Sequence, residues 1–92
     1  MKANNISMKQ RTAKAAEIPK DVIMGMPVLT VTGDREMSVE NYGGIIEYTE
    51  QIVRIRTKAG QIIINGKKLH IDYYTNDDMK IVGVFTSLEF KH

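Results

Sequence analysis

From residue 28 onward, apolar and polar side chains alternate with the two-residue period of a β-strand. Val28-Leu-Thr-Val-Thr32 is rich in β-branched residues and stops at Gly33-Asp34. Glu36-Met-Ser-Val-Glu40 places Met37 and Val39 on one face. Asn41-Tyr-Gly-Gly44 is a turn cluster, because glycine and asparagine enter positive φ at little cost. Ile45-Ile-Glu-Tyr48 is the next strand. Ile52-Val-Arg-Ile-Arg-Thr57 follows, with Val53 and Ile55 inward and Arg54 and Arg56 outward. Gln61-Ile-Ile-Ile-Asn65 stops at Gly66-Lys67, which has the form of a two-residue hairpin turn. Lys68–Tyr74 sets Leu69, Ile71 and Tyr73 on one face, and His70, Asp72 and Tyr74 on the other. After a turn at residues 75–78, Met79–Val82 and Val84–Phe90 flank Gly83. The apolar–x–Gly steps at Gly33, Gly66 and Gly83 read as recurrent hairpin turning. The pattern predicts an all-β fold: a small antiparallel β-sandwich or roll of about seven or eight strands.

The first twenty residues differ. Good helix formers occupy residues 7–17, with Ser7 placed to cap them and Pro19 placed to end them. The apolar stripe is weak, so a short helical or disordered arm is expected. Residues 18–27 read as a lead-in to the first strand. Charge divides the chain at the same place. Residues 1–20 carry +4 and residues 21–92 carry −2, which together make the net +2. The expected organisation is a basic N-terminal arm (1–20) and a β domain (21–92). A basic arm on a slightly acidic body points to an anionic surface, and peripheral membrane contact through the arm is one expectation. No run of about 18 apolar residues is present and no signal-type apolar core stands near the N-terminus. A cytoplasmic location is therefore expected.

Composition removes most chemistry. Of the 92 residues, 42% are hydrophobic and 26% charged, which places the chain among globular domains and not disordered ones. There is no cysteine, so disulfides, thiol catalysis and cysteine metal sites are excluded. The two histidines, His70 and His92, cannot alone furnish a zinc site. His70 and Asp72 share a strand face, the spacing of a carboxylate that orients an imidazole. With Leu69 and Ile71 taking the core, a solvent-facing pair is the expected reading. Asn76-Asp77-Asp78 offers oxygen ligands but lacks the spacing of a calcium loop. Gly43-Gly44 lacks the helix that would complete a phosphate loop. No metal, no cofactor and no catalytic residue is expected. Arg54, Arg56 and Lys58 form a basic row, with Tyr42, Tyr48, Tyr73, Tyr74 and Phe85 near enough in sequence to suggest a single-strand nucleic-acid platform. The acidic body argues against it, and Glu47 or Glu36 can pair the arginines across strands. A small β-barrel-like nucleic-acid binder is the alternative function.

Association is the more informative question. Ile62-Ile-Ile64 is apolar on both faces, so Ile63 must leave the face that its neighbours occupy. Either both faces of that strand are covered, or Ile63 joins an interface. Ile45-Ile46 and Val82 pose the same question. A homodimer or partner surface is expected at one or more of these residues, with Ile63, Ile45, Arg54 and Arg56 as the candidates. Replacing Ile63 by lysine should then disturb assembly more than folding.

The order of the strands carries a resemblance. Val39-Glu-Asn41, Ile52-Val-Arg-Ile-Arg-Thr57, Gly60-Gln-Ile-Ile-Ile-Asn-Gly-Lys-Lys-Leu-His-Ile71 and Met79-Lys-Ile-Val-Gly-Val-Phe-Thr-Ser-Leu-Glu-Phe90 follow one another. The series resembles the YabP/YqfC family of sporulation proteins, with Phe90 where the family pattern has tyrosine. Ile18-Pro-Lys-Asp-Val22 and Met26-Pro-Val-Leu-Thr-Val-Thr-Gly33 look more like the YqfC branch. The resemblance covers residues 18–90. It implies a protein of endospore-forming bacteria, acting on the mother-cell side near the forespore surface. The implied role is a non-enzymatic interaction or scaffold module. Its implied partners are other sporulation proteins, a membrane protein among them. The family carries no catalytic motif to transfer.

Overall fold

The computed structural model describes residues 25–92. The arm of residues 1–20 and the beginning of the lead-in lie outside the described residues. Six strands follow: β1 (Val28–Thr32), β2 (Glu36–Glu40), β3 (Tyr42–Tyr48), β4 (Ile52–Thr57), β5 (Gly60–Tyr74) and β6 (Asp78–Lys91). They form one antiparallel sheet in the order β1-β2-β6-β5-β4-β3. The all-β antiparallel expectation holds. Six strands replace seven or eight because two of the expected turns are not turns. The chain continues as strand through Gly66-Lys67 and through Gly83, which makes β5 and β6 single strands of 15 and 14 residues.

What stands at those glycines is a bend. Across it Lys67 pairs with Val84 and His70 with Val82, so β5 spends two residues, Lys68 and Leu69, where β6 spends only Gly83. The extra residue is a β-bulge, which kinks a strand and increases its twist. Lys68 takes φ 52 and Gly83 takes φ 145 to make it. Gly66 acts differently. A Cβ there would lie 2.2 Å from the Val84 carbonyl oxygen, so only a missing side chain lets the two backbones approach this closely. Leu69 Cδ2 lies over both glycines and is buried.

The bend divides the sheet into two limbs. One holds β1, β2 and the paired segments 70–74 and 78–82. The other holds β3, β4 and the paired segments 60–65 and 87–91. Their inner faces close on a common core of Met37, Val39, Met79 and Ile81 with Val53, Ile55, Ile62 and Ile64. A single flat sheet could not take these side chains out of water, so the sheet must curl into a roll. Each one buried contributes roughly 1.5–3 kcal/mol of transfer free energy. Hydrogen bonds close the roll. Tyr48 Oη accepts from the Ile71 amide at 3.0 Å, and the Glu50 carbonyl accepts from the Leu69 amide at 2.8 Å. The Asp77 carbonyl accepts from the Asn41 amide at 2.6 Å, and the Tyr42 hydroxyl donates to the Thr75 carbonyl. On the other side, the turn after β1 accepts the Gly83 and Phe85 amides on the Arg35 and Asp34 carbonyls.

Candidate interaction surface

The strand alternation sends Arg54, Arg56 and Ile63 to the outer face of the second limb. In register, Arg54 lies beside Ile63 on one side and Glu47 on the other, with Glu89 beyond Ile63. Arg54 is tied down: its Nε lies 3.3 Å from Glu47 Oε1, and its Nη1 lies 3.5 Å from Gln61 Oε1. Arg56 Nη2 donates to the Gly43 carbonyl at 3.5 Å, over a stretch of β3 without side chains. Glu36 instead meets Lys80 at 3.3 Å. The arginines thus stand in one row on the outer face, Arg54 half-buried and Arg56 exposed, engaged by β3 and β5 across strands.

Ile63 is only 8% exposed, although it faces away from Ile62 and Ile64. A lysine at that position would have to bury its charge, so it would disturb folding first. Ile45 and Ile46 remain exposed on β3. Register shifts bulge this strand at Gly43 and Ile46, so its edge is irregular. Val82, the remaining apolar residue of the sequence reading, is half-buried.

The titratable groups distribute over the surface. His70 Nε2 and Asp72 Oδ1 are 3.9 Å apart and both side chains are exposed. In water such a pair gains little. The β5–β6 tip gathers Tyr42, Tyr74, Asp77 and Asp78. Burial, and then the negative potential of Tyr74, Asp78 and Asp77, raise the Tyr42 phenol above its ordinary value of 10.0. Thr75 organises the tip: its hydroxyl accepts from the Asp78 amide at 3.1 Å and donates to Asp78 Oδ1. Among the described residues there is no group of three metal-ligating side chains, no cleft, and no helix long and apolar enough to cross a membrane.

Sequence reasoning missed one surface. Leu88 and Phe90 lie on the core side of β6, in register with Ile64 and Ile62. They are nonetheless 38% and 60% exposed, because among the described residues β6 is the last strand of its limb beyond the bend. The alternation Leu88-Glu-Phe90 was a visible signal for a core-facing pair. Its position at an open edge was not visible.

These features define a class: a small β-roll made from one bent antiparallel sheet, whose chemistry is carried on faces and edges. Within that class the chain belongs to the YabP family, whose sequence model matches residues 26–92. It is similar to a Bacillus subtilis (strain 168) protein described as uncharacterized protein YqfC, with 32% identity over 83 residues, or 90% of this chain and 89% of that one. No solved structure matches it.

Proposed function

We propose that this chain is a non-enzymatic interaction or scaffold module of sporulation, working on the mother-cell side near the forespore surface. Membership in the YabP family supports the sporulation setting. The observation that carries the interaction role is the placement of large apolar side chains at strand edges. Ile45, Ile46 and Tyr48 stand exposed on β3, and Leu88 and Phe90 on β6. Apolar residues gathered at edges are where a β domain meets another polypeptide. The expected partners are other sporulation proteins, including a membrane protein that would hold this chain at the forespore periphery.

The test is expression of the intact chain, fused to a fluorescent protein, in an endospore-forming host. Fluorescence should appear during sporulation and collect around the forespore. Co-purification should recover sporulation proteins. A second version, with Lys2, Lys9, Arg11, Lys14 and Lys20 changed to glutamine, asks whether the basic arm supplies the targeting. Equal abundance and a diffuse signal in vegetative and sporulating cells would refute the proposal. Oligonucleotide binding with a steep salt dependence would favour a nucleic-acid role instead.

A further inference from the structure

Among the described residues the sheet has four open edges, and they are not equivalent. β3 is bulged twice, at Gly43 and Ile46. Beyond the bend, β5 has its Leu69 and Ile71 amides taken by Glu50 and Tyr48. β1 is regular but Val28–Thr32 carries no charge, so nothing in its side chains selects one register over another. β6 is covered by β2 over residues 78–82, and by the turn at Asp34-Arg35 as far as Phe85. From residue 86 its outer edge has no backbone partner among the described residues. Residues 87–91 pair with β5 on the other side without interruption. A register shift sets a bulge at Thr86, but residues 87–91 themselves carry no proline, no bulge and no inward charge, devices by which sheets keep an edge from pairing.

We propose that this edge pairs antiparallel with the same edge of a second copy, about a two-fold axis at Phe90. A symmetric antiparallel pair must centre on a residue, because residues facing each other share a sheet face. Three centres are available within residues 87–91. An axis at Glu89 sets that carboxylate against itself. An axis at Leu88 runs the pairing into Phe85, whose amide already bonds to Asp34. An axis at Phe90 places Glu89 opposite Lys91 of the second copy, twice, on the outer face. On the inner face it sets Phe90 against Phe90 of the second copy, with Leu88 on the diagonal. Opposite charges facing each other and an aromatic pair are the contacts that stabilise neighbouring strands. The same step would cover Phe90, the more exposed of the two edge residues that continue the core rows of Ile62 and Ile64. The result is one continuous sheet across two chains.

The test uses the full-length purified protein, with no other component, so it reads self-association independently of any role in sporulation. Sedimentation equilibrium should show a dimer. Glu89→Lys and Lys91→Glu should each weaken it by about tenfold or more, since each sets like charges face to face. The double variant E89K/K91E should restore the original constant. Both residues are exposed, and unchanged thermal melting should confirm the fold. A second measurement traps the encounter covalently, so that it reads the register of the pair and not its strength. The chain has no cysteine, and Phe90→Cys should oxidise to a disulfide-linked dimer, because directly opposed strand residues fall within disulfide reach. Thr86→Cys, off the axis, should not. A monomeric wild-type protein overturns the proposal. So does a dimer unmoved by either single change, a double variant as weak as the singles, or a Phe90→Cys chain that stays uncrosslinked.

Discussion

Replacing three glycines one at a time by alanine would separate the two reasons a strand can require glycine. Gly33, in the turn after β1, has φ 56 and open space where a Cβ would go. Alanine there meets only the left-handed backbone cost, about 1 kcal/mol. Gly66 has no such dihedral, but its Cβ would lie 2.2 Å from the Val84 carbonyl oxygen and 2.9 Å from Leu69 Cδ2. The carbonyl belongs to the neighbouring strand and cannot swing aside like a side-chain tip. The strands must part at the bend, which by the usual cost of overpacking is about 2–3 kcal/mol. Gly83 combines both causes. Its φ is 145, and its Cβ would lie 2.9 Å from the Lys68 carbonyl oxygen and 3.0 Å from Leu69 Cα. Strain and crowding together give about 3–5 kcal/mol. A domain of this size has about 5–15 kcal/mol in all, so Gly83→Ala should leave a marginal fold. The assay is urea unfolding. With a slope of about 1.5 kcal/mol per molar, Gly66→Ala should lower the midpoint by about 1.3–2 M and Gly33→Ala by less than about 1 M. The slopes should agree among the variants. If Gly66→Ala and Gly83→Ala fall within about 0.5 kcal/mol of Gly33→Ala, the bend is not held by close backbone approach, and the account of the roll is wrong.

Three further outcomes are expected. Tyr42 has a raised phenol pKa, so the folded chain holds that proton more tightly than the unfolded one. Its contribution is therefore complete below the ordinary tyrosine pKa and is lost as pH rises through the folded value. Tyr42→Phe should flatten the alkaline limb of the stability profile. It should also cost about 0.5–1.5 kcal/mol near neutrality, through the lost bond to the Thr75 carbonyl. Tyr48→Phe leaves the Ile71 amide without its acceptor, and hydrogen exchange at Ile71 should quicken while the amides of β4 stay protected. Ile63→Ala should cost about 2–4 kcal/mol in urea unfolding, against about 0.5 kcal/mol or less for Ile46→Ala, because only Ile63 is buried.

Much of the core was legible in the alternation itself. Met37 and Val39, Val53 and Ile55, and Leu69 are the inward positions of their runs, and each is buried. The outward placement of Arg54 and its pairing with Glu47 were also readable, since β3 and β4 are joined by a short turn and must be neighbours. The glycines at 66 and 83 were not. A glycine in a β pattern serves a turn or a bulge equally well in local terms, and the choice depends on Val84 and Lys68, residues distant in sequence. The burial of Ile63 could not be deduced either. An apolar triplet shows that both faces are apolar, and says nothing of what lies against the second.

By itself the sequence determined the antiparallel β class, the inward positions of β2 and β4, the absence of cysteine chemistry and the division of charge along the chain, but not the faces at the end of β5, where a register shift after Ile71 sets Tyr74 opposite Met79 and Tyr73 opposite Lys80. These follow from side-chain period and composition, which are local properties. Tertiary structure alone decided that two long strands bend together, that one sheet closes on itself, and which edge remains open. Those outcomes are set by contacts between residues far apart in the chain, where a missing Cβ at Gly66 admits the Val84 carbonyl and the bend carries Leu88 and Phe90 to an edge that is unpaired among the described residues.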